Sequence, residues 1–161
     1  MGFVGKDRKD NLSPRIENRK AWHEYFIEAK IECGMVLVGS EVKSLRAGKA
    51  SLQEAFARIE RRGELVLHQA HIDPYEKAAS VNNHEPKRER KLLVHKRELK
   101  RLADATKVKG TTLIPLAIYF KDGRAKLELG VARGKHQHDK RDTIKKKEQD
   151  RELRRMQMQR R

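Results

Sequence analysis

Ile114-Pro115-Leu116-Ala117-Ile118-Tyr119-Phe120 leads through Lys121-Asp122-Gly123-Arg124 into Ala125-Lys126-Leu127-Glu128-Leu129-Gly130-Val131. Ile114, Leu116, Ile118 and Phe120 occupy every second position, and Leu127, Leu129 and Val131 do the same on the return. A period of two puts each set on one face of a strand, and Asp-Gly between two such runs is a tight hairpin turn, so the chain doubles back here as an antiparallel pair. The segments 52–59 and 65–70 repeat the pattern around Arg61-Arg62-Gly63-Glu64. Residues 25–31 alternate loosely up to a break at Gly34, and Met35-Val36-Leu37-Val38 reads as a separate apolar strand ended by Gly39. Ser40 as N-cap and Gly48 as terminator bracket a short helix with Val42 and Leu45 three apart, and Leu99, Leu102 and Ala103 give a second over 96–108, stopped by Gly110. Between them, 71–90 carries Pro74, Asn82-Asn83 and Pro86 without any period, which predicts a long loop of the kind that is usually functional. About six strands, one or two short helices, no βαβ alternation and no repeat predict an all-β fold with short helices. A small closed antiparallel β-barrel follows, since closure hides the edges of short strands.

The charge says what such a barrel meets. Lys and Arg number 39 against 23 Asp and Glu, a net +16 over 161 residues, with an isoelectric point near 10.2. That balance calls for a polyanion, RNA or DNA in a cytoplasmic protein. The length fits one domain with one core. No run nears the roughly 18 apolar residues of a membrane span, and no apolar segment follows the N-terminus, so neither a membrane protein nor a secreted one is expected. A lone Cys33 makes neither an internal disulfide nor a cysteine zinc cluster. The chain divides into a flexible arm 1–17, with Gly2, Gly5 and Pro14; a body 18–132; and a basic tail 133–161. The tail holds 12 basic and 5 acidic residues, and its few apolar ones are Ile144, Leu153, Met156 and Met158. It is expected to be disordered alone and, having no Pro or Gly after Gly134, able to become helical on a charged surface.

Few residues suggest catalysis. His136-Gln137-His138-Asp139 offers ligand-type side chains but no second pair to complete a metal site. There is no Gly-x-Ser-x-Gly elbow, no phosphate loop and no recognisable base for Cys33, so neither an enzyme nor a cofactor is expected. The basic clusters say more. Arg19-Lys20-Ala21-Trp22-His23-Glu24-Tyr25-Phe26 mixes cations for phosphates with rings able to stack on unpaired bases, although Trp22 or Phe26 alone reads better as a core plug. Lys87-Arg88-Glu89-Arg90-Lys91 opens directly into Leu92-Leu93-Val94, either as a solvated face or as an RNA contact. Glu32 reads as an exposed acid, yet a carboxylate can accept from a guanine or cytosine amino group as no phosphate can.

Four strings in order carry a resemblance: Asn18-Arg19-Lys20-Ala21 with Tyr25; Gly39-Ser40-Glu41-Val42-Lys43-Ser44-Leu45-Arg46-Ala47-Gly48; Arg90-Lys91-Leu92-Leu93; and Gly130-Val131-Ala132-Arg133-Gly134-Lys135 with Asp139-Lys140-Arg141. From 18 to 141 the chain resembles the small protein B (SmpB, SsrA-binding) family, the tmRNA-binding proteins of bacterial trans-translation. The resemblance implies an oligonucleotide-binding-type barrel of six strands, monomeric when free, that binds the tRNA-like domain of tmRNA. It further implies delivery of tmRNA to the empty A site of a stalled ribosome. The family's RNA face has a Glu matching Glu32 and a strand residue matching Leu93; His95 stands where the family often has Asn. Pattern and resemblance together give the expected RNA contacts Arg19, Lys20, Tyr25, Glu32, Arg90, Lys91, Leu93, His95, Gly134 and Lys135. By the resemblance, His138, Asp139, Lys140 and Arg141 enter the decoding centre, and the rest of the tail becomes helical in the mRNA channel. The alternative is a basic structural protein of the ribosome that binds rRNA.

Overall fold

The computed structural model of the chain describes residues 13–159, so 1–12 of the expected arm lie outside the described residues. Along the chain come β1 (Ile16–Glu17), α1 (Arg19–Glu24), β2 (Tyr25–Met35), α2 (Gly39–Arg46), β3 (Ala50–Ser51), β4 (Phe56–Ile59), β5 (Leu65–His68) and β6 (His71–Ile72). They continue with a 3-10 turn (Ser80–Asn82), β7 (Arg90–Leu93), α3 (Lys96–Thr106), β8 (Thr111–Lys121), β9 (Arg124–Gly134) and α4 (Gln137–Gln159).

The hairpin read from alternation is β8–β9. Asp122 and Gly123 both have positive φ, 52° and 74°, as a two-residue turn matching the right-handed strand twist requires. Pairing runs from Lys121↔Arg124 to Thr111↔Arg133 and shifts between Pro115 and Ala117, a bulge that skips Leu116 beside the proline that cannot donate to the ladder. The other edge of β9 takes β2, from Gly34↔Lys126 to Tyr25↔Gly134. From β2 the pairing passes to β7, then β5, then β4, and returns to β8 through Ala57↔Leu113. Hydrogen-bonded neighbours therefore run in the circuit β8–β4–β5–β7–β2–β9–β8. Strand β1 adds to β8 at Ile16↔Ile118, and β3 pairs with β6 separately.

Several expectations are corrected. β2 is one strand of 11 residues, and Gly34 lies inside it because β7 comes close: a Cβ at Gly34 would sit 3.3 Å from the Cβ of Leu93. Ile16 and Glu17 belong to the sheet instead of the arm, and β9 runs to Gly134, past the expected start of the tail. The cap of α2 is Val38, because the Ser40 hydroxyl is 2.8 Å from His84 Nδ1. The short helix α1 was hidden in a charged run. Asn18, buried, starts it: its Oδ1 accepts from Ala21 N–H, while its Nδ2 donates to the carbonyls of Leu52 and Pro115 at 3.0 Å. The tail, expected to lack structure of its own, is the helix α4, formed by helix-compatible Lys, Arg, Glu and Gln with no Pro or Gly to interrupt them. Its Ile144, Leu153, Met156 and Met158 are all exposed.

The core is formed by inward residues of the circuit, including Cys33, Leu65, Leu67, Leu113, Leu127 and Leu129, sealed by Leu45 of α2 and Leu102 of α3. Burial pushes the Cys33 thiol up to about 12, which removes it as a nucleophile.

Candidate nucleic-acid interface

Strand β7 shows how a period of two sorts one motif into two jobs. Arg90 and Leu92 point inward, Lys91 and Leu93 outward. Leu93 is 52% exposed, and Lys91 Nζ lies 2.7 Å from Glu64 Oε1 on the same outer face. Across the Gly34–Leu93 pairing, a cleft of about 610 Å³ is lined by Glu32, Leu93, His95, Glu98, Arg124 and Lys126 among others. Three residues expected from resemblance, on two strands and a helix cap, thus meet in one concavity. His95 precedes α3, and its backbone N–H donates to Glu98 Oε2 at 3.2 Å, leaving the ring exposed.

Glu32 is held ready as an acceptor. The Tyr119 phenol donates to Oε2, and Lys121 Nζ lies 3.6 Å from Oε1. The Tyr119 hydrogen bond first, with Lys121 and Lys126 adding attraction, keeps the Glu32 carboxyl below the usual range despite some desolvation. Burial and Glu32 together push the phenol up. Tyr119, Lys121 and Lys126 were not among the expected contacts. Alternation on the 111–134 hairpin puts them on the outward face, but their approach to Glu32 depends on β9 lying between β8 and β2.

Arg90 is a correction. Its side chain is fully buried beside the equally buried Glu41, so it offers nothing to RNA. Nε donates to Glu41 Oε1 at 2.7 Å; Nη1 donates to the carbonyls of Ala70 and Arg88, and Nη2 to that of Pro86. Arg88 approaches Glu41 from the surface at 2.7 Å, and Val38 N–H donates to Glu41 Oε2. The 71–90 connection is thereby fastened to α2 from inside. His84, buried between Ser40 Oγ and the Ile72 carbonyl, adds a second tie.

The other expected contacts gather at the far end of β2, roughly 20 Å away at 3.3 Å per residue. Arg19 and Lys20 are exposed on α1, whereas Tyr25 packs against a small core of Ala21, Ile114, Leu116 and Ala132. Trp22 and Phe26 are not plugs: they are 45% and 46% exposed, because each carries an ammonium over its face. Lys30 Nζ stands 4.7 Å from the Trp22 centroid and Lys135 Nζ 5.0 Å from that of Phe26. Gly134 pairs with Tyr25, and Lys135 is anchored by its N–H to Glu24 O and its Nζ to Trp22 O. The root of the tail is thus part of this patch. Lys140 and Arg141 lie in the first turns of α4, where Arg141 is exposed; the side chains of His138 and Asp139 lie outside the described residues, and with them the possible ligand cluster 136–139. Among the described residues no three His, Cys, Asp or Glu are arranged to hold a metal. No described helix is long and apolar enough to cross a membrane.

Comparison with known proteins adds to this geometry. A family model described as SmpB protein matches residues 15–159. An SsrA-binding protein of Desulforudis audaxviator is 59% identical over 137 residues, covering 85% of this chain and 88% of that protein. Another, of Syntrophotalea carbinolica, is 55% identical over 136 residues, covering 84% and 89%. Among solved structures, a chain of "tmRNA-SmpB: a journey to the center of the bacterial ribosome" superposes with a TM-score of 0.66 at 48% identity, over 82% of this chain and 95% of that one.

Proposed function

The chain belongs to the SmpB family, and from that premise we propose that it binds the tRNA-like domain of tmRNA and delivers it to the A site of stalled ribosomes. The observation that carries this reading is the meeting of Glu32, Leu93 and His95 in one cleft with Lys126 on its wall and Lys91 beside it. Cations attract the phosphates, but they carry no selectivity. Glu32 repels phosphates and accepts only from donors such as a base amino group or a ribose hydroxyl, and exposed Leu93 gives an apolar seat for a base or sugar face. We read the strand circuit as a closed barrel of oligonucleotide-binding type, with β2, β7 and the start of α3 as its RNA face. The Trp22–Phe26–Lys135 patch and α4 then remain available for ribosomal RNA. The work is that of a binding protein in the cytoplasm, not of an enzyme.

Sequencing the RNA that co-purifies with the chain tests this. One tRNA-like species should dominate, and Lys91→Glu combined with Leu93→Asp should lose it while thermal unfolding stays normal. Dominance of rRNA would favour a structural ribosomal protein instead. Salt dependence separates phosphate attraction from recognition: with about five phosphates neutralised, log K should fall against log salt with a slope near −4 to −5. Glu32→Ala should weaken binding and leave that slope unchanged, since it removes no phosphate contact. Tighter binding by the variant would mean that Glu32 only repels RNA.

A further inference from the structure

We propose that Tyr119 is the positioning residue of this interface: by donating its phenol proton to Glu32 it fixes one carboxylate oxygen and leaves the other turned to the RNA, setting selectivity for an amino or hydroxyl donor. The inference rests on the reading that the Glu32–Leu93–His95 cleft is the tmRNA-binding face.

The sheet register explains why a tyrosine serves here. Glu32 of β2 lies opposite Glu128 of β9, which faces Ala117 of β8. Tyr119 lies opposite Lys126, the residue that also faces Gly34. Tyr119 and Glu32 are therefore two strands apart and one diagonal step out of line, close to 10 Å at the usual strand spacing. A phenol reaches across β9 to the carboxylate; serine or threonine in its place is too short. Small Ala117 leaves Glu128 room beside the ring. Arg15 covers the ring from outside, its guanidinium 5.0 Å from the centroid, and is itself paired with Glu128. Lys30 holds the second oxygen of Glu128 at 3.1 Å. Arg15, Lys30 and Glu128 around the ring are thus paired with one another, and the hydroxyl donates to Glu32.

The two oxygens of Glu32 are left unequal. Oε2 is taken by the phenol, whereas among the described residues Oε1 faces Lys121 Nζ at 3.6 Å, beyond hydrogen-bond distance. A rotating carboxylate loses torsional freedom on binding, and one already fixed does not, so preorganisation goes directly into affinity for the correct donor.

A double-mutant cycle on the full chain tests the proposal, using gel-shift or filter binding to the tRNA-like domain of tmRNA. Tyr119→Phe keeps the ring and the Arg15 contact and should weaken binding about fivefold or more, as loss of a hydrogen bond to a charged group does. In a Glu32→Ala background the same change should move affinity less than about twofold, because the acceptor through which it acts is gone. Equal loss in both backgrounds would overturn the role. NMR titration of the Glu32 carboxyl in the free protein gives a second readout without RNA. Removing the phenol should raise its pKa and move the acid limb of RNA binding to higher pH, while Lys121, Lys126, Glu98 and Glu128 stay in place. An unmoved carboxyl would overturn the proposal even if affinity fell. Failure of the unaltered chain to bind the tRNA-like domain would instead overturn the function reading and the role built on it together.

Discussion

Arg90→Ala should cost the fold about 3–5 kcal/mol, the usual penalty for stranding one partner of a buried ion pair, whereas Lys91→Ala, one residue on, should cost under about 1 kcal/mol as a surface pair does. Arg90 is enclosed with Glu41 and three backbone carbonyls; without it Glu41 stays buried with Arg88 left to oppose its charge, and the carbonyls of Ala70, Arg88 and Pro86 each lose a guanidinium donor. Urea unfolding measures both variants. RNA affinity of the folded fraction should rank them the other way, with Lys91→Ala the weaker binder and Arg90→Ala near normal at low temperature. The pH dependence follows from Glu41. Burial works to raise its carboxyl, but hydrogen bonds from Arg88 and the Val38 N–H, with the charge of Arg90, outweigh it and hold the folded value below the ordinary one. A depressed folded pKa contributes stability that is complete above the unfolded value of about 4.3 and is lost as pH falls through the folded value. Arg90→Ala raises the folded value, so acid unfolding should begin at higher pH. If the variant unfolds in urea and acid as the original does, the Glu41–Arg90 pair is not what holds the 71–90 segment.

Those two neighbours also mark where the sequence could be read and where it could not. The β8–β9 and β4–β5 hairpins, α2 and α3 were legible because period, turn and stop signals all lie within a dozen residues. The circuit was not, because it depends on β7 pairing with β2 and β5, residues distant in sequence. In Arg90-Lys91-Leu92-Leu93 either alternate set includes one cation and one leucine, so the pattern alone cannot say which faces inward. Burial of Arg90 is settled by Glu41, 49 positions away. Trp22 and Phe26 read as plugs because hydrophobicity counts their area and ignores a ring face that an ammonium can occupy. Leu93 and His95 came from resemblance, and Glu32 from resemblance and from what a carboxylate can accept; no period or spacing links the three, and the sheet brings them to one cleft. Tyr119 was missed for the same reason.

Replacing Asp139-Lys140-Arg141 by alanine should leave tmRNA binding largely unchanged and abolish tagging of stalled nascent chains in a reconstituted reaction. The body holds the Glu32–Leu93–His95 cleft, while these three residues lie on α4, whose apolar side chains are exposed and give it little to pack with. Loss of two cations and one anion changes the net charge by only one, and screening over about 8–10 Å limits what that does at the cleft. In an A site without a codon no base pairing signals occupancy, so the proposed signal is the tail, a basic helix that fits a channel empty of mRNA and is excluded from a filled one. A truncation separates body from tail more sharply, and the structure fixes where to cut. Ending the chain at Ala132 would remove the pairing of Arg133 and Gly134 with Phe26 and Tyr25, and with it the Lys135 tie to Glu24 and Trp22. Ending it at His136 keeps the sheet whole. That shorter chain should unfold at the original temperature and bind tmRNA at low salt with only a loss of long-range attraction, and it should compete with the full chain for tmRNA while supporting no tagging. Normal tagging by the triple variant, or loss of tmRNA binding by the chain ending at His136, would show that binding and acceptance on the ribosome are not divided between body and tail.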